Sequence, residues 1–328
     1  MRRSRGYDGG MRAINITEDH ALELIDAEEP VAGPGEVLID VVAAGVNGAD
    51  LAQAAGTYPP PPGASPFPGL EVSGRRRDTG EPVVALLAGG GYAEVVAVPE
   101  AQVLDAPPRL SLADAAGLIE VAATVVSNLV IEGGLRAHGP GEDRQRVLIE
   151  GGAGGIGTFA VQLAAALGAR VFATVGSDDA AEAVQALGAE RAWNRHTNDV
   201  AAEVKALGGV DLILDVVGGP ALHDHVRMLR EFGRLIIIST IGGAKGELNA
   251  GLLMMKRARI IGTTLRSRTT EDKRAILART RELVWPLLDA GKIQIPIHAH
   301  VPLEDAQEAH EMLARGGHLG KVILHVAR

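Results

Sequence analysis

A glycine turn set between an aliphatic run and an amphipathic run constrains this chain more than any other feature. Arg146–Glu150 is short, aliphatic and β-branched, the composition of a strand buried on both faces. The next residues place glycine at 152, 154 and 157, the spacing G-x-G-x-x-G. Phe159, Leu163 and Leu167 then recur at helical spacing until Gly168 ends the run. Strand, glycine turn and helix is the context that a dinucleotide fingerprint requires. In that reading Gly152 permits the tight turn, Gly154 lets the backbone approach a pyrophosphate, and Gly157 lets helix and strand pack closely. The free N–H groups that open the helix, at Gly155 and Ile156, face the phosphates. A flexible glycine loop has the same spacing, so the context decides. Strand-like runs follow at 169–175, 191–194, 211–217, 234–240 and 258–265, separated mostly by helical patterns. This alternation predicts an α/β fold with a doubly wound parallel sheet of six strands.

At 328 residues, two domains are the natural expectation. Apolar residues make up 46% and the mean hydropathy is +0.12, as suits a well-buried α/β protein. A net charge of −9 argues against an electrostatic nucleic-acid binder. The chain has no cysteine, which excludes disulfides, thiolate nucleophiles and cysteine-ligated zinc. No uninterrupted apolar run of membrane-spanning length is evident, and the basic start at Met1–Arg5 lacks the hydrophobic segment of a secretory signal. A cytoplasmic protein is expected, with residues 1–10 a floppy extension and Met11 a natural beginning.

Residues 11–106 read as short strands and turns, with a strong strand at 36–43 and an alternating one at 91–98. The proline run after Tyr58 predicts a rigid exposed loop. Such a pattern suggests a small, partly open barrel. Ser111 is a candidate N-cap. Thr124–Glu132 reads as the helix leading into the fingerprint, and helix is expected at 283–288 and 303–315, strand at 296–302 and 321–326. The last segment is too small to fold alone and is expected to complete the first domain. This gives 1–122 with 266–328 as one domain and 123–265 as the other.

In order along the chain, Gly45–Leu51, Tyr58–Ser65, Gly69–Gly74, Gly89–Glu94, Glu150–Gly157, Asp215–Gly219, Thr264–Arg268, Val284–Leu288 and His318–Val322 form a recognisable pattern. It resembles the medium-chain dehydrogenase/reductase superfamily, specifically its zinc-free, zeta-crystallin-like quinone oxidoreductases. The proline loop, the run ending in Tyr92–Glu94 and the Leu265–Arg268 segment are most similar to the tumour-suppressor-inducible subfamily. The resemblance implies a Rossmann domain, a GroES-like catalytic domain and a homodimer paired through the strand around Arg259–Thr264. Zinc-dependent members place a cysteine where this chain has Asn47 and a histidine where it has Leu70, so no catalytic zinc is implied. One departure is the segment Arg75–Pro82, roughly ten residues shorter than the pattern, which puts the local strands and part of the cleft wall in question.

The tip of the second strand, Val175–Ser177, lacks the carboxylate that binds the ribose hydroxyls of NAD, and this argues for NADPH. Gly176 and Ser177 are candidate contacts, Ser177 either as a donor to the 2′-phosphate or as a helix N-cap. The family often has lysine at the position of Ala180, and Arg195 is inferred to supply that cation; Asp178 and Asp179 count against it. The resemblance implies that Asn47, Thr124, Leu265, Arg266 and Lys321 line the nicotinamide and phosphate region, with Val217 and Gly218 beside them. Each has a plainer role: a turn residue at Asn47, an N-cap at Thr124, a solvated charge at Lys321. Tyr58 either stacks on a flat substrate or donates a proton, or simply anchors its loop. Asn47, Tyr58 and Thr124 are thus the candidate catalytic residues.

His298 and His300 fall on one strand face without a third ligand, and His223 and His225 point apart on a helix, so neither pair predicts a metal site. Arg75–Arg77 reads as a solvated charge run. The expected function is NADPH-dependent, zinc-independent hydride transfer to a quinone or a related activated carbonyl or alkene. An enoyl or enone reductase is the alternative within the enzymes, and a non-catalytic crystallin-like or RNA-binding protein is the alternative outside them.

Overall fold

The computed structural model describes residues 10–139 and 141–327. Except for Gly10, the expected floppy extension lies outside them. Six parallel strands form one sheet in the order Arg191–Asn194, Arg170–Val175, Arg146–Ile149, Val210–Asp215, Leu229–Ile237, Arg259–Gly262. This is the doubly wound order, with its switch point beside the first strand, where the glycine turn emerges. The fourth strand stops at Asp215 rather than 217 because the Asp215 carboxylate accepts the N–H groups of Val217 and Gly218, at 2.7 and 3.1 Å. Those donors are then lost to the ladder.

A second, mixed sheet runs Ile297–Pro302, Lys321–His325, Glu36–Gly45, Glu71–Arg76, Pro82–Leu86, Val103–Asp105, and Val95–Pro99 pairs with the first half of Glu36–Gly45. The C-terminal strands thus complete the N-terminal sheet, through Lys321–His325 lying antiparallel to Glu36–Gly45. Alternation places Val37, Ile39, Val41, Val72, Val83, Ala85, Val322 and Leu324 in its core. Strand structure within 91–98 begins only at Val95. Before it, Tyr92 is drawn wholly inside, and Gly69 and Gly91 back onto each other too closely for a Cβ.

The shortened segment still closes a hairpin: Arg75 pairs with Pro82, and Gly80, at φ +74°, completes the turn. Arg76 and Arg77 are not simply solvated. They pair with Asp78 and Glu100, and with Glu29 and Asp40. One helical stretch, Leu112–Glu132, is long and apolar enough to cross a membrane by length and composition, though interrupted by Asp114 and Glu120, and its most apolar part is 78% buried in the fold. Ser111 caps its start, accepting from Asp114 N at 3.0 Å. Thr124 is not an N-cap. It lies inside the helix Ile119–Val125, whose continuation Val126–Glu132 is π-helical. The Ser127 and Asn128 side chains donate to the Thr124 carbonyl, which helps to account for the widened turn.

The glycine turn divides its duties differently from the simple fingerprint. The left-handed residue is Gly151, at φ +70°, rather than Gly152. A Cβ on Gly152 would stand 2.9 Å from Ala173 Cβ, and one on Gly157 would stand 2.2 Å from the Gly151 carbonyl oxygen. On Gly154 it would meet only that oxygen, at 3.7 Å. Gly157→Ala is therefore expected to lower stability by about 1–3 kcal/mol through overpacking. Gly154→Ala should stay close to wild type, and urea denaturation of the two variants compares them directly.

Candidate active site

The last strand of the mixed sheet meets the glycine turn at one seam. Gly320 N–H donates to the Ala153 carbonyl at 2.9 Å, and the Lys321 side chain passes over Gly155, its Cδ 2.5 Å from where a Cβ would stand. Lys321 is 3% exposed, and its ammonium has three oxygen neighbours: Asn47 Oδ1 at 2.6 Å, Glu71 Oε1 at 2.8 Å and the Val46 carbonyl at 2.9 Å. The ammonium donates to two of these oxygens and pairs with the Glu71 carboxylate, so its charge is compensated where it is buried. Lys321 is not the solvated charge of its plainer reading. Asn47 also donates to Glu71 Oε1 at 3.1 Å, which fixes its amide.

Glu71 extends the network to the helix Ile119–Val125 by accepting Glu120 N–H at 3.0 Å. Glu120 in turn accepts the Thr124 hydroxyl at 3.0 Å, while its second oxygen is closed off from solvent without a partner. Burial, reinforced by the neighbouring Glu71 charge, pushes the Glu120 carboxyl up to about 7. Burial also raises Asp50, to about 6, against the opposing N–H groups of Asn47 and Gly69. Asp50 Oδ2 takes the Tyr92 hydroxyl at 3.2 Å, and that hydroxyl lies 3.2 Å from His310 Nε2.

Tyr58 is half-buried, and its ring lies 5.3 Å from the Arg266 guanidinium carbon. Arg266 is buried and spans three segments: it donates to Gln53 Oε1 at 2.5 Å, the Ala88 carbonyl at 2.8 Å and the Tyr58 carbonyl at 3.1 Å. It thereby holds the proline loop, and Leu265 beside it packs on the large core. Burial raises the Tyr58 hydroxyl above its ordinary value.

At the tip of the second strand, Ser177 does cap its helix, accepting from Ala180 N at 3.2 Å. Its O–H proton is not used by that bond. Asp178 is held by the Asn194 amide at 2.9 Å. The exposed Arg195 guanidinium lies 3.5 Å from the point where a Cβ of Gly176 would stand. Gly218, at φ +87°, backs onto Thr240 and Gly243. His298 and His300 are exposed. His300 pairs with His325 at 2.9 Å, and no group of three or more potential ligands is placed to hold a metal among the described residues.

Comparison with known proteins gives two family matches along the chain. Residues 33–108 match the Alcohol dehydrogenase GroES-like domain family, and residues 155–281 match the Zinc-binding dehydrogenase family. Quinone oxidoreductase from Lama guanicoe is 31% identical over 96% of this chain and 97% of its own. The chain belongs to the quinone oxidoreductase family, within the medium-chain dehydrogenases/reductases. Among solved structures, the quinone oxidoreductase of Thermus thermophilus, described with its NADPH complex, is 32% identical with a TM-score of 0.81 over 96% of this chain and all of that one. A probable oxidoreductase from Mycobacterium abscessus is 34% identical with a TM-score of 0.81, covering 97% and 99%.

One matching family description names zinc, yet the side chains here do not suit it. Leu70 is buried and offers no donor, and Asn47 Oδ1 is occupied by the Lys321 ammonium. Sequence reasoning brought Asn47, Thr124 and Lys321 to one place, with Tyr58 and Arg266 joined on the neighbouring loop. It missed Asp50, Glu71 and Glu120. Glu71 sits within the Gly69–Gly74 stretch already singled out, and its neighbour Leu70, lacking zinc chemistry, drew the attention instead. The raised carboxyls predict a specific pH dependence. Glu120 binds its proton more tightly folded than unfolded, so its contribution is most favourable below about 4.5 and declines as pH rises toward 7. Glu120→Gln should therefore gain on wild type across that interval, by on the order of 1–3 kcal/mol at its upper end; denaturant midpoints at both ends measure the difference.

Proposed function

We propose that this chain is an NADPH-dependent reductase that passes a hydride to a quinone without a metal ion. The observation that carries this reading is the seam where the glycine turn opens onto Lys321, Asn47 and Thr124, at a place whose cation is an ammonium. NADPH supplies the hydride when bound. The chain's own contribution is positioning and electrostatics. Gly152–Gly157 accept the pyrophosphate, with Gly154 and Gly155 at closest approach. Val217, Gly218 and Leu265 border the cofactor, and Arg266 braces the Tyr58 loop. Asn47 and Thr124 hold the nicotinamide ring and the substrate oxygen, and Lys321 and Glu71 fix the Asn47 amide. Tyr58 stacks on a flat quinone or gives the developing oxyanion a proton.

Three features support NADPH over NADH. The second strand has no carboxylate at its tip, Asp178 is engaged by Asn194, and Arg195 stands beside Gly176. Ser177 adds a hydroxyl proton for the same phosphate. The NADPH complex of the Thermus thermophilus relative supports the same cofactor. A cytoplasmic location belongs to the reading on the acidic, cysteine-free composition.

A homodimer through the edge strand Arg259–Gly262 is also proposed. That edge is apolar, and Ile241, Met254 and Met255 on neighbouring segments are 82, 74 and 69% exposed. Light scattering at micromolar concentration should give twice the chain mass; a stable monomer would refute the pairing.

Assays with NADPH and a small quinone test the chemistry. Tyr58→Phe and Asn47→Ala should each lower kcat/KM by about tenfold, the loss of one transition-state donor, and EDTA should change nothing. Gly154→Val should abolish NADPH binding while the protein stays folded. Arg195→Ala should raise the KM for NADPH about tenfold and leave that for NADH unchanged. Collapse of activity with EDTA would contradict the metal-free reading.

A further inference from the structure

A second buried charge cluster lies under the glycine turn and takes no part in the chemistry above. Glu150, the residue between the first strand and the turn, is 8% exposed; Asp215, at the end of the fourth strand, is fully buried; His225, on the helix Leu222–Met228, is 2% exposed. His225 Nε2 lies 3.1 Å from Glu150 Oε1. Its Nδ1 lies 3.3 Å from Asp215 Oδ2, an ion-pair separation whose alignment falls short of a hydrogen bond, and neither atom has another partner among the described residues. The outer oxygens of the two carboxylates reach the cofactor-facing loops. Glu150 Oε2 accepts the Thr174 hydroxyl, whose oxygen accepts Gly151 N–H at 3.2 Å. Asp215 Oδ1 accepts Val217 N–H and Gly218 N–H. One imidazole therefore connects the glycine turn, the tip of the second strand and the Val217–Gly218 turn.

We propose that His225, as an imidazolium, is a positioning residue for NADPH: it holds Glu150 and Asp215 at the separation that sets both loops for the dinucleotide. Two carboxylates stand on either side of the ring, so a neutral ring leaves one of them without a donor and doubles the negative charge beneath a phosphate site. Burial works against the charged ring, and Asp215 and Glu150 outweigh it, holding the imidazole up to about 9. The other charged groups nearby are turned away. On the same helix His223, Asp224 and Arg227 are exposed, the last two paired at 3.2 Å. Of the elements packed against it, Val200–Ala206 carries a half-buried Glu203, 3.6 Å from Arg191, and an exposed Lys205; Ala250–Lys256 directs Lys256 to the Arg227 and Leu229 carbonyls; and on Leu229–Ile237 Arg230 pairs with Asp211, Glu231 with Arg257, and Arg234 donates to the Glu132 carbonyl.

The inference rests on the NADPH reading, and the test separates the two. NADPH dissociation constants are measured by fluorescence from about pH 6 to 10, a range spanning the ring's titration, for wild type, His225→Gln and the neutral pair Glu150→Gln/His225→Gln. At neutral pH His225→Gln should weaken NADPH about tenfold, the loss of a charge-assisted contact, while kcat at saturating NADPH stays near wild type. Wild-type affinity should fall as pH rises through about 9, the value of the ring, and meet the variant, whose profile is flat. The neutral pair, which removes both charges, should regain most of the affinity and stay flat; it carries the test if the single variant does not fold. A histidine proton resonance titrating near 9 in the cofactor-free protein, absent from His225→Gln, should accompany this. Affinity equal to wild type at every pH, or a loss by one constant factor with the alkaline fall retained, would overturn the role of His225. Wild type that binds no NADPH at any pH would overturn the cofactor reading, and the positioning role with it.

Discussion

The ion pair between Lys321 and Glu71 is the interaction on which the site depends. Both groups are withdrawn from water, and neither is tolerable there alone. Lys321 comes from the last strand of the chain, Glu71 from a strand near its beginning, and their meeting requires the C-terminal segment to have returned to the N-terminal sheet. The pair then organises what lies around it. Asn47 is held by both partners, Glu71 fixes the first turn of the helix Ile119–Val125, and the Lys321 stem requires glycine at 155. Local positions that look independent in the sequence are thus set by one buried charge balance.

Substitution at two positions of a shared scaffold changes what that balance can do. With Asn47 and Leu70 in place of sulfur and imidazole, the pocket offers an amide oxygen and a hydrocarbon. The buried cation beside that amide is the Lys321 ammonium, which offers charge and hydrogen bonds but has no empty orbital to accept an electron pair. Under the metal-free reading proposed above, chemistry at this centre relies on an acceptor that takes hydride readily and on donors aimed at the oxygen it leaves behind. Glu120 is of interest in that setting because a carboxyl raised to about 7 is partly protonated under physiological conditions.

Much of the fold was legible because its signals are periodic and local. Five aliphatic runs after the glycine turn, spaced mostly by helical patterns, pointed to the parallel sheet, while the spatial order of its strands is seen only in the structure. What local pattern could not show was where a side chain competes with the backbone. Asp215 ends its strand early by taking two N–H groups, and Thr124 proved to be mid-helix, at the point where Ser127 and Asn128 widen the next turn. The site was legible in part for the same reason. Asn47, Asp50, Glu71 and Lys321 all lie within recognisable stretches, but Asp50 and Glu71, like Glu120 outside them, are single acidic residues in a chain with 41 of them. Only tertiary contact distinguishes a carboxylate at a sheet seam from one on a solvated face.

The hydrogen bond from Gly320 to Ala153 has a consequence for motion. It lies where the two sheets adjoin, next to the buried Lys321, and breaking it would expose a backbone donor and a charge together. Val84 and Leu86 of the mixed sheet also share one hydrophobic core with Val147 and Ile149 of the parallel sheet, so displacement of one sheet against the other is resisted over a buried surface as well as at this bond.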